Sequence, residues 1–456
     1  MLRRAALSLL LLLDSGAKAD PASEIHPISA DFADPRQYSY LGSLLHGVDV
    51  VSLAESIHMT RELPLIRLGM LQYLNQNLGF GMLAFEGSPV DLWATQDQFL
   101  SADERQAGAV AQADAGLFGL WNTGEMRRLF EYERSTWNTT HPLYITAYDI
   151  QPGSGRSTQG TDAFELLSLR LKRYAPAPPG FDQSEWIASL APLTSACSDY
   201  TPANRSGIED AIAALETWIA SAAPKVEHRY PNLPHGEVLR LIPENLRASL
   251  LRCESLGSGN RDWALYKTTR DKLASKFALA LKAAAPGGKL MLWAHTSHLF
   301  YDADKSSTSV GELLHEALGP RVYTIAGFAL GGGTLVIYDD TTDDFGYALV
   351  GRGGSGEIAN QLHAPCSPAC FLDMRGIFNP ELQTPRPVWW ESHTEQLALA
   401  KNFDAVFFVA HVHAPAVPLA FWLLSVNHYK WELAGVAGVL LAALASFMLT
   451  KARRRA

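Results

Sequence analysis

The sequence lacks several features that would assign the chain to a common class of protein. It has four cysteines among 456 residues, the first at Cys197, and no two have the CxxC spacing of a zinc site. A lipoprotein would need a cysteine near its start, so that class is disfavoured. No serine lies in a Gly-x-Ser-x-Gly turn, which disfavours a serine nucleophile. The segment "GFALGGGTL" has neither a Walker lysine nor a GxGxxG helix start, so we interpret it as a turn between strands.

The chain also lacks an excess of positive charge. Lysine and arginine number 38 against 47 aspartate and glutamate residues, which gives a formal net charge of −9 and a pI near 5.9. The body of the chain has no basic stripe, so we expect no nucleic-acid partner. With 47% hydrophobic and 19% charged residues the composition is globular, and the length allows one large domain or two to three smaller ones.

Both ends of the chain carry targeting patterns. Residues 1–19 have a basic start, a short apolar run and an "AKA" cleavage pattern, which predicts a secretory signal peptide. Residues 431–450 are apolar over the length that a bilayer requires, and a basic tail, 451–456, follows them. We therefore expect a periplasmic or extracellular domain anchored in the membrane by a C-terminal helix, with the C-terminus in the cytoplasm. A sorting tag that is later removed is an open alternative for this helix.

The four cysteines are compatible with an oxidising compartment. Cys366 and Cys370 lie in one short loop and are expected to pair with each other. Cys197 and Cys253 would then pair across the helical middle of the chain. Four cysteines allow three connectivities, so this pairing is a preference.

Short apolar runs alternate with helical periodicity from Val48 onwards. The runs "DVVSLA", "GMLAFEG", "LYITAYDI", "KLMLWAH", "RVYTIAGFAL", "GTLVIYDD" and "DAVFFVAHV" predict buried strands, and the segments between them predict helices. The expected fold class is α/β, with a mainly parallel sheet flanked by helices, in one domain over residues 20–425. Residues 164–285 hold long helical stretches and predict a helical insertion carried by the sheet.

Polar side chains follow four of these predicted strands. They are Glu55 and His58, then Glu86, then Asp149, and finally His295 and His298. Ligands of open α/β sheets bind beyond the carboxyl ends of the strands, so we expect these side chains to share one crevice. Histidines beside carboxylates suit the activation of water for hydrolysis. The same side chains could instead bind a divalent metal.

Five ordered elements resemble those of the erythromycin esterase-like hydrolases. "LAESIHMTREL" is similar to the family's Gly-Glu-x-x-His-Gly-x-x-Glu element, "GFGMLAFEGS" to its Gly-Phe…Glu element, and "GLWNTGEMRRLFEYERSTWN" to its Trp…Glu helix. "LYITAYDIQ" is similar to its aromatic-Gly-Phe-Asp strand, and "KLMLWAHTSHLF" to its Trp-Ala-His-Asn-x-His element. The order and spacing hold from about Val48 to Ala410, most loosely in the helical middle.

The resemblance implies a hydrolase that cleaves an ester or a lactone. His58 would be the general base, with Glu55 and Glu86 orienting it or the water. His295 and His298 would stabilise the negative charge of the transition state or protonate the leaving group. Supporting roles are expected for Glu62, Arg61, Arg67, Glu125 and Asp149. The role of Glu125 stays open, since an ion pair on the helix surface would also explain it. No cofactor is expected, although a divalent metal at the Glu/His site is an open alternative.

Three positions depart from the family pattern. Ala54 and Met59 stand where the family usually has Gly, and Thr296 stands where it has Asn. These differences predict altered surroundings of the substrate, which we expect to be a small-molecule or polysaccharide ester. Two other functions stay open: a metal-dependent peptidase of a related fold, and a non-catalytic exported protein that binds a haem-type ligand.

Overall fold

The computed structural model of the chain describes residues 25–102, 116–117, 121, 123–153, 162–194, 197–256, 263–302, 308–339, 344–350, 366–375, 380–390 and 393–416. The strands within these ranges are β1 (Ile25–Ile28), β2 (Val50–Glu55), β3 (Met82–Phe85), β4 (Tyr144–Ala147), β5 (Leu290–His295), β6 (Val322–Ala329), β7 (Gly332–Asp339), β8 (Asp344–Val350), β9 (Ala369–Asp373), β10 (Arg386–Trp390), β11 (His393–Leu397) and β12 (Ala405–Val409).

The helices within the same ranges are α1 (Leu41–Leu44), α2 (Glu62–Leu78), α3 (Pro89–Ser101), α4 (Gly124–Thr136), α5 (Asp162–Leu171), α6 (Gln183–Leu190), α7 (Arg205–Arg229), α8 (His235–Leu256), α9 (Trp263–Ala284), α10 (Thr296–Leu299), α11 (Val310–Leu318), α12 (Pro380–Gln383) and α13 (Leu399–Asn402). Short 3-10 helices lie at Pro35–Tyr38, Ala191–Leu193, Pro202–Asn204, Pro286–Gly288 and Gly319–Arg321.

Eight strands form one sheet in the order β1-β9-β12-β6-β2-β5-β3-β4. The six strands from β12 to β4 are parallel, while β9 runs antiparallel to β12 and β1 runs antiparallel to β9. The α/β class and the mainly parallel sheet therefore agree with the prediction. The run "GTLVIYDD" is β7, which pairs with β8 in a separate two-stranded sheet instead of joining the main one. The segment "GFALGGGTL" does connect two strands, β6 and β7.

The central strands are covered on both faces. Every residue of β2 and of β5 is buried, as expected of parallel strands between helical layers. Alternate residues of β2 contribute to different apolar clusters, Val50 and Ala54 to one and Val51 and Leu53 to the other. Successive strand residues point to opposite faces, so each face of the sheet carries its own core.

The loop at the carboxyl end of β3 is set by the start signals of the next helix. Ser88 caps α3 by accepting a hydrogen bond from the backbone N–H of Asp91 at 3.3 Å, and Pro89 occupies the first turn. The chain thus turns sharply after β3, directly beyond Glu86.

Between β4 and β5 the described residues form the helices α5 to α9 and no strand. These helices pack in the same apolar cluster as Ala84 and Leu292 of the sheet. The predicted cysteine pairs agree with the structure, because the Cα atoms of Cys197 and Cys253 are 5.2 Å apart and those of Cys366 and Cys370 are 4.6 Å apart. The domain boundaries at 20–425 and 164–285 stay predictions.

The predicted transmembrane helix and membrane-anchored location require correction. No helix of the described residues is both long enough and apolar enough to cross a membrane. The longest, α7 to α9, carry charged residues along their length because one side of each faces solvent. The segments predicted as signal peptide (1–19), transmembrane helix (431–450) and basic tail (451–456) lie outside the described residues. The fold of the described residues is mixed α/β with no spanning helix.

Candidate active site

The strand order brings the predicted polar residues to one edge of the sheet. β2 lies beside β5, and their last residues, Glu55 and His295, are register partners. β3 lies beside β5 on its other side, and β4 lies beside β3. The backbone N–H of Glu86, one residue beyond β3, donates to the carbonyl of Trp293 at 2.9 Å. The carboxyl ends of these four parallel strands therefore line one crevice.

A buried carboxylate holds the first histidine. Glu55 Oε1 lies 2.9 Å from His58 Nδ1, and its other oxygen forms an ion pair with Arg67. Neither Glu55 nor Arg67 is exposed to solvent. Arg67 comes from α2, donates to the carbonyl of Leu53 at 3.2 Å and lies 3.8 Å above the ring of Trp293. The helix after β2 thus fixes the carboxylate, and the carboxylate orients the imidazole.

His58 is a neutral ring at neutral pH. Burial, reinforced by the nearby His298 and opposed by Glu86, lowers the pKa of His58 to about 4. Its side chain retains 12% of its surface exposed. The ring stands edge-on to Trp121 with centroids 4.8 Å apart, and the centroid of His295 lies at the same distance. An uncharged imidazole oriented by a carboxylate is equipped to take up a proton.

His295 is fixed through both of its ring nitrogens. The backbone N–H of Ser297 donates to Nδ1 at 3.2 Å, and Nε2 lies 3.2 Å from the carbonyl of Ser56. Since Nδ1 accepts a backbone N–H, the ring proton belongs on Nε2, where it is donated to Ser56. Burial and the neighbouring His58 hold the pKa of His295 well below its usual value. The ring edge meets Trp390 of β10 with centroids 4.7 Å apart.

Glu86 is shared between the two histidines of the "AHTSH" segment. Its Oε2 accepts the backbone N–H of His295 at 2.9 Å, and its Oε1 lies 3.1 Å from His298 Nε2. Arg270 donates to the same Oε1 at 3.1 Å. Burial opposes the negative charge of Glu86, but the cationic His298 and Arg270 outweigh it and keep the pKa of this carboxyl well below its usual range.

His298 has the opposite charge state from His58. Its Nδ1 lies 2.9 and 3.0 Å from the two carboxylate oxygens of Asp271, while its Nε2 faces Glu86. Burial disfavours the imidazolium, but the two carboxylates prevail and raise the pKa of His298 to about 9. The crevice therefore holds a neutral histidine and a cationic one.

Asp149 joins the crevice through Arg270, as predicted for a strand-end residue. Arg270 Nε donates to Asp149 Oδ1 at 3.0 Å, and its Nη2 pairs with the other oxygen. Burial raises the pKa of Asp149, but the pairing with Arg270 is stronger, so the net pKa is lowered. Arg270 and Asp271 come from α9, and the prediction missed both. The surrounding sequence, "TTRDK", has the mixed charge of an ordinary exposed helix, so nothing in it indicates that these two residues belong to the site.

Three of the predicted supporting residues contact the end of the described chain instead. Both carboxylate oxygens of Glu62 bind His413, one through its backbone N–H and one through Nδ1, each at 2.8 Å. The backbone N–H of Arg61 donates to the His413 carbonyl at 2.9 Å. Glu125 accepts the backbone N–H of Ala416 at 3.0 Å. These residues hold the segment after β12 against the starts of α2 and α4.

The departures from the family pattern lie in tightly packed places. Ala54 aligns with Ala294 and Ala326 on the neighbouring strands and packs with them in the core. Met59, next to the base, is fully buried, and Thr334 donates to its carbonyl. Thr296 is also buried. Their influence on the substrate stays a prediction.

The ring nitrogens of the two histidines after β5 are already bonded to protein groups. Among the described residues no group of three or more His, Cys, Asp or Glu side chains is arranged to hold an ion. Both ring nitrogens of His295 and both of His298 are engaged with protein groups. Those bonds would have to break before either ring could become a metal ligand.

The residues and their order match a known family. The family model described as "Erythromycin esterase" matches residues 76–412, about three quarters of the chain. This chain belongs to the erythromycin esterase family. The matched range includes Glu86, Asp149, His295 and His298, whereas the Glu55–His58 pair precedes it.

Similar proteins agree with this assignment. YbfO of Bacillus subtilis (strain 168), which is named as a hydrolase, is 23% identical over 413 residues, or 85% of this chain and 89% of YbfO. A solved Bacillus cereus structure shares the fold with a TM-score of 0.64 at 18% identity, over 87% of this chain and 97% of that one. A mutant of erythromycin esterase EreC in its open conformation has a TM-score of 0.57 at 16% identity, over 86% and 99%. Family and relatives together identify the chain as a hydrolase.

Proposed function

We propose that this hydrolase cleaves a carboxylic ester or lactone with a water molecule activated by His58. The observation that carries the proposal is the buried Glu55–His58 pair, 2.9 Å apart, at the carboxyl end of β2. If Nδ1 donates its proton to Glu55, the opposite nitrogen, Nε2, is the proton acceptor. The low pKa of His58 keeps this ring unprotonated at neutral pH.

The reaction would proceed by direct attack of water. The water oxygen bonds to the carbonyl carbon while its proton passes to His58 Nε2, and the carbonyl electron pair moves onto oxygen. The bond to the alcohol oxygen then breaks, and that oxygen takes the proton from His58. Glu55 stabilises the transient imidazolium of His58, and the positive charge of His298 favours the oxyanion. The products are a carboxylic acid and an alcohol, and His58 returns to its neutral form.

The proposed substrate is a small-molecule or polysaccharide ester. The ring of Trp390, which is only partly buried, stands 4.7 Å from the ring of His295, measured between centroids, while the buried ring of Trp121 supports His58 from within the core. A partly exposed aromatic ring such as that of Trp390 offers an apolar face for a substrate's ring or acyl chain. The name of the family supports an ester bond as the point of attack.

Hydrolysis assays on the full chain test the proposal. Purified protein is incubated with p-nitrophenyl esters, a macrocyclic lactone, O-acetylated oligosaccharides and a peptide library. We expect ester or lactone hydrolysis, with kcat lower by at least about 100-fold in His58→Asn, as for loss of a general base. His228→Asn, at an exposed position of α7, is the matched control and should retain the full rate.

Two outcomes would contradict the proposal. Equal ester hydrolysis by the wild type and His58→Asn would remove His58 from the chemistry. Cleavage of peptides but not esters, lost after dialysis against a chelator and restored by Mn²⁺ or Co²⁺, would instead support the metal-dependent peptidase.

A further inference from the structure

His298 is held between two carboxylates, one at each ring nitrogen. Asp271 lies 2.9 and 3.0 Å from Nδ1, and Glu86 lies 3.1 Å from Nε2. A carboxylate only accepts hydrogen bonds, so both ring nitrogens must carry protons for both contacts to be made. The geometry therefore specifies an imidazolium and not a neutral ring.

We propose that Asp271 is a positioning residue that holds His298 as an imidazolium, so that at neutral pH the crevice pairs the neutral His58 with a cationic His298. The kinetic part of this inference rests on the proposed function, whereas the charge of the ring does not. Asp271 lies outside the five family-like sequence elements, because it belongs to the helical middle of the chain.

The position of Asp271 is itself fixed. Its side chain is 1% exposed, on α9. The preceding residue, Arg270, donates to Asp149 at 3.0 Å and to Glu86 at 3.1 Å, which ties this turn of α9 to the ends of β4 and β3. The helix thus presents its carboxylate to His298 through two neighbouring anchors on the sheet.

The charged groups around His298 come from every element of the crevice. α9 contributes Asp271 and Arg270, and the loops after β3 and β4 contribute Glu86 and Asp149. His58 and His295, both neutral, complete the set from the ends of β2 and β5. Three carboxylates face two cations, so this cluster has a net charge of −1. Loss of the His298 proton would leave three carboxylates against one cation, a net charge of −2, beside the place where the proposed mechanism forms the oxyanion.

The consequence is a distinct dependence on pH. Since the pKa of His298 is raised to about 9, the cationic ring is present below that pH and is lost above it. Asp271→Asn keeps an oxygen that can accept from Nδ1 but removes the negative charge. An opposite charge at this distance shifts a pKa by about 1–3 units, so we expect the midpoint of His298 to fall by at least about one unit.

Histidine NMR measures this without any substrate. The full chain is labelled with ¹⁵N-histidine, and the His298 ring is assigned as the signal that disappears in His298→Asn. We expect both ring nitrogens of His298 to be protonated at pH 8 in the wild type, and the titration midpoint to move down in Asp271→Asn. Asp271→Glu should stay near the wild type. Asp210→Asn, which removes an exposed carboxylate from α7, should change nothing.

The pH profile of kcat/KM gives the second readout. The alkaline limb should move down with the NMR midpoint in Asp271→Asn, while the acid limb, set by His58, stays in place. A uniform loss of rate with both limbs unchanged would show that Asp271 has only a structural role and would overturn the inference. A neutral His298 ring at pH 8 in the wild type would overturn it as well, even if Asp271→Asn fails to fold.

These readouts separate the inference from the proposed function. A cationic His298 that depends on Asp271, in a protein whose ester hydrolysis is unaffected by His58→Asn, would support the role of Asp271 and refute the role of His58.

Discussion

Glu55 contacts both the proposed base, His58, and the buried cation Arg67. This double contact predicts that the effects of Glu55 on stability and on catalysis can be separated by mutation. In Glu55→Gln, His58 loses its carboxylate and Arg67 is left buried without a counter-charge. Removal of one partner from a buried ion pair costs about 3–5 kcal/mol. Arg67→Met leaves the Glu55 charge uncompensated in the same way. The double variant Glu55→Gln/Arg67→Met removes both charges, and the Met side chain can retain part of the packing against Trp293.

We therefore expect each single variant to lower the free energy of unfolding by about 3–5 kcal/mol, and the double variant to recover most of that loss. Ester hydrolysis should not recover, because His58 Nδ1 still lacks its carboxylate; kcat should stay lower by at least about 100-fold. Urea unfolding followed by circular dichroism gives the stabilities, and initial rates give kcat. Glu209→Gln, in the exposed pair with Arg205, is the control and should cost no more than about 0.5 kcal/mol.

A double variant that regains both stability and activity would refute this reasoning, since Glu55 would then act only through Arg67. Full stability of Glu55→Gln would refute the buried ion pair as a stabilising contact.

Two further predictions concern the pH dependence and the walls of the crevice. Because burial holds the pKa of His58 in the free protein at about 4, kcat/KM should be constant around pH 6 and fall as the pH drops through about 4, where the neutral base is lost. An acid limb of kcat/KM centred near the unperturbed histidine pKa of about 6.5 would contradict this. Trp390→Ala should raise KM about tenfold with little change in kcat, because the ring is expected to bind the substrate. Trp390→Phe, which keeps an aromatic ring, should stay near the wild type. A fall in kcat at constant KM in Trp390→Ala would instead mean that the ring acts through His295.

The candidate site could be predicted to the extent that it lies at strand ends. Glu55, Glu86, Asp149 and His295 each follow a short apolar run, and parallel strands present such positions at one edge of the sheet. This rule needs only the strands and not their order. It therefore placed these residues together before β2, β5, β3 and β4 were known to be neighbours.

The rest could not be predicted, because it depends on contacts across long sequence separations. Arg270 lies 121 residues from Asp149 and 184 from Glu86, and its helix has no local feature that indicates a buried face with two charges. Conversely, the family-like spacing of Glu62 and Glu125 predicted supporting roles without indicating their partners, and in the structure both bind the chain after β12. Spacing shows that a residue matches a position of the family pattern, but it does not show which residue it contacts in the fold.

From the sequence alone, His295 and His298 have the same expected role. Their hydrogen bonds in the structure indicate different charge states and therefore different roles. His295 accepts a backbone N–H at Nδ1 and is neutral, so it cannot supply positive charge without breaking that bond. His298 faces carboxylates at both nitrogens and is cationic. Removal of the His298 charge should then slow catalysis, whereas replacement of His295 should displace His58.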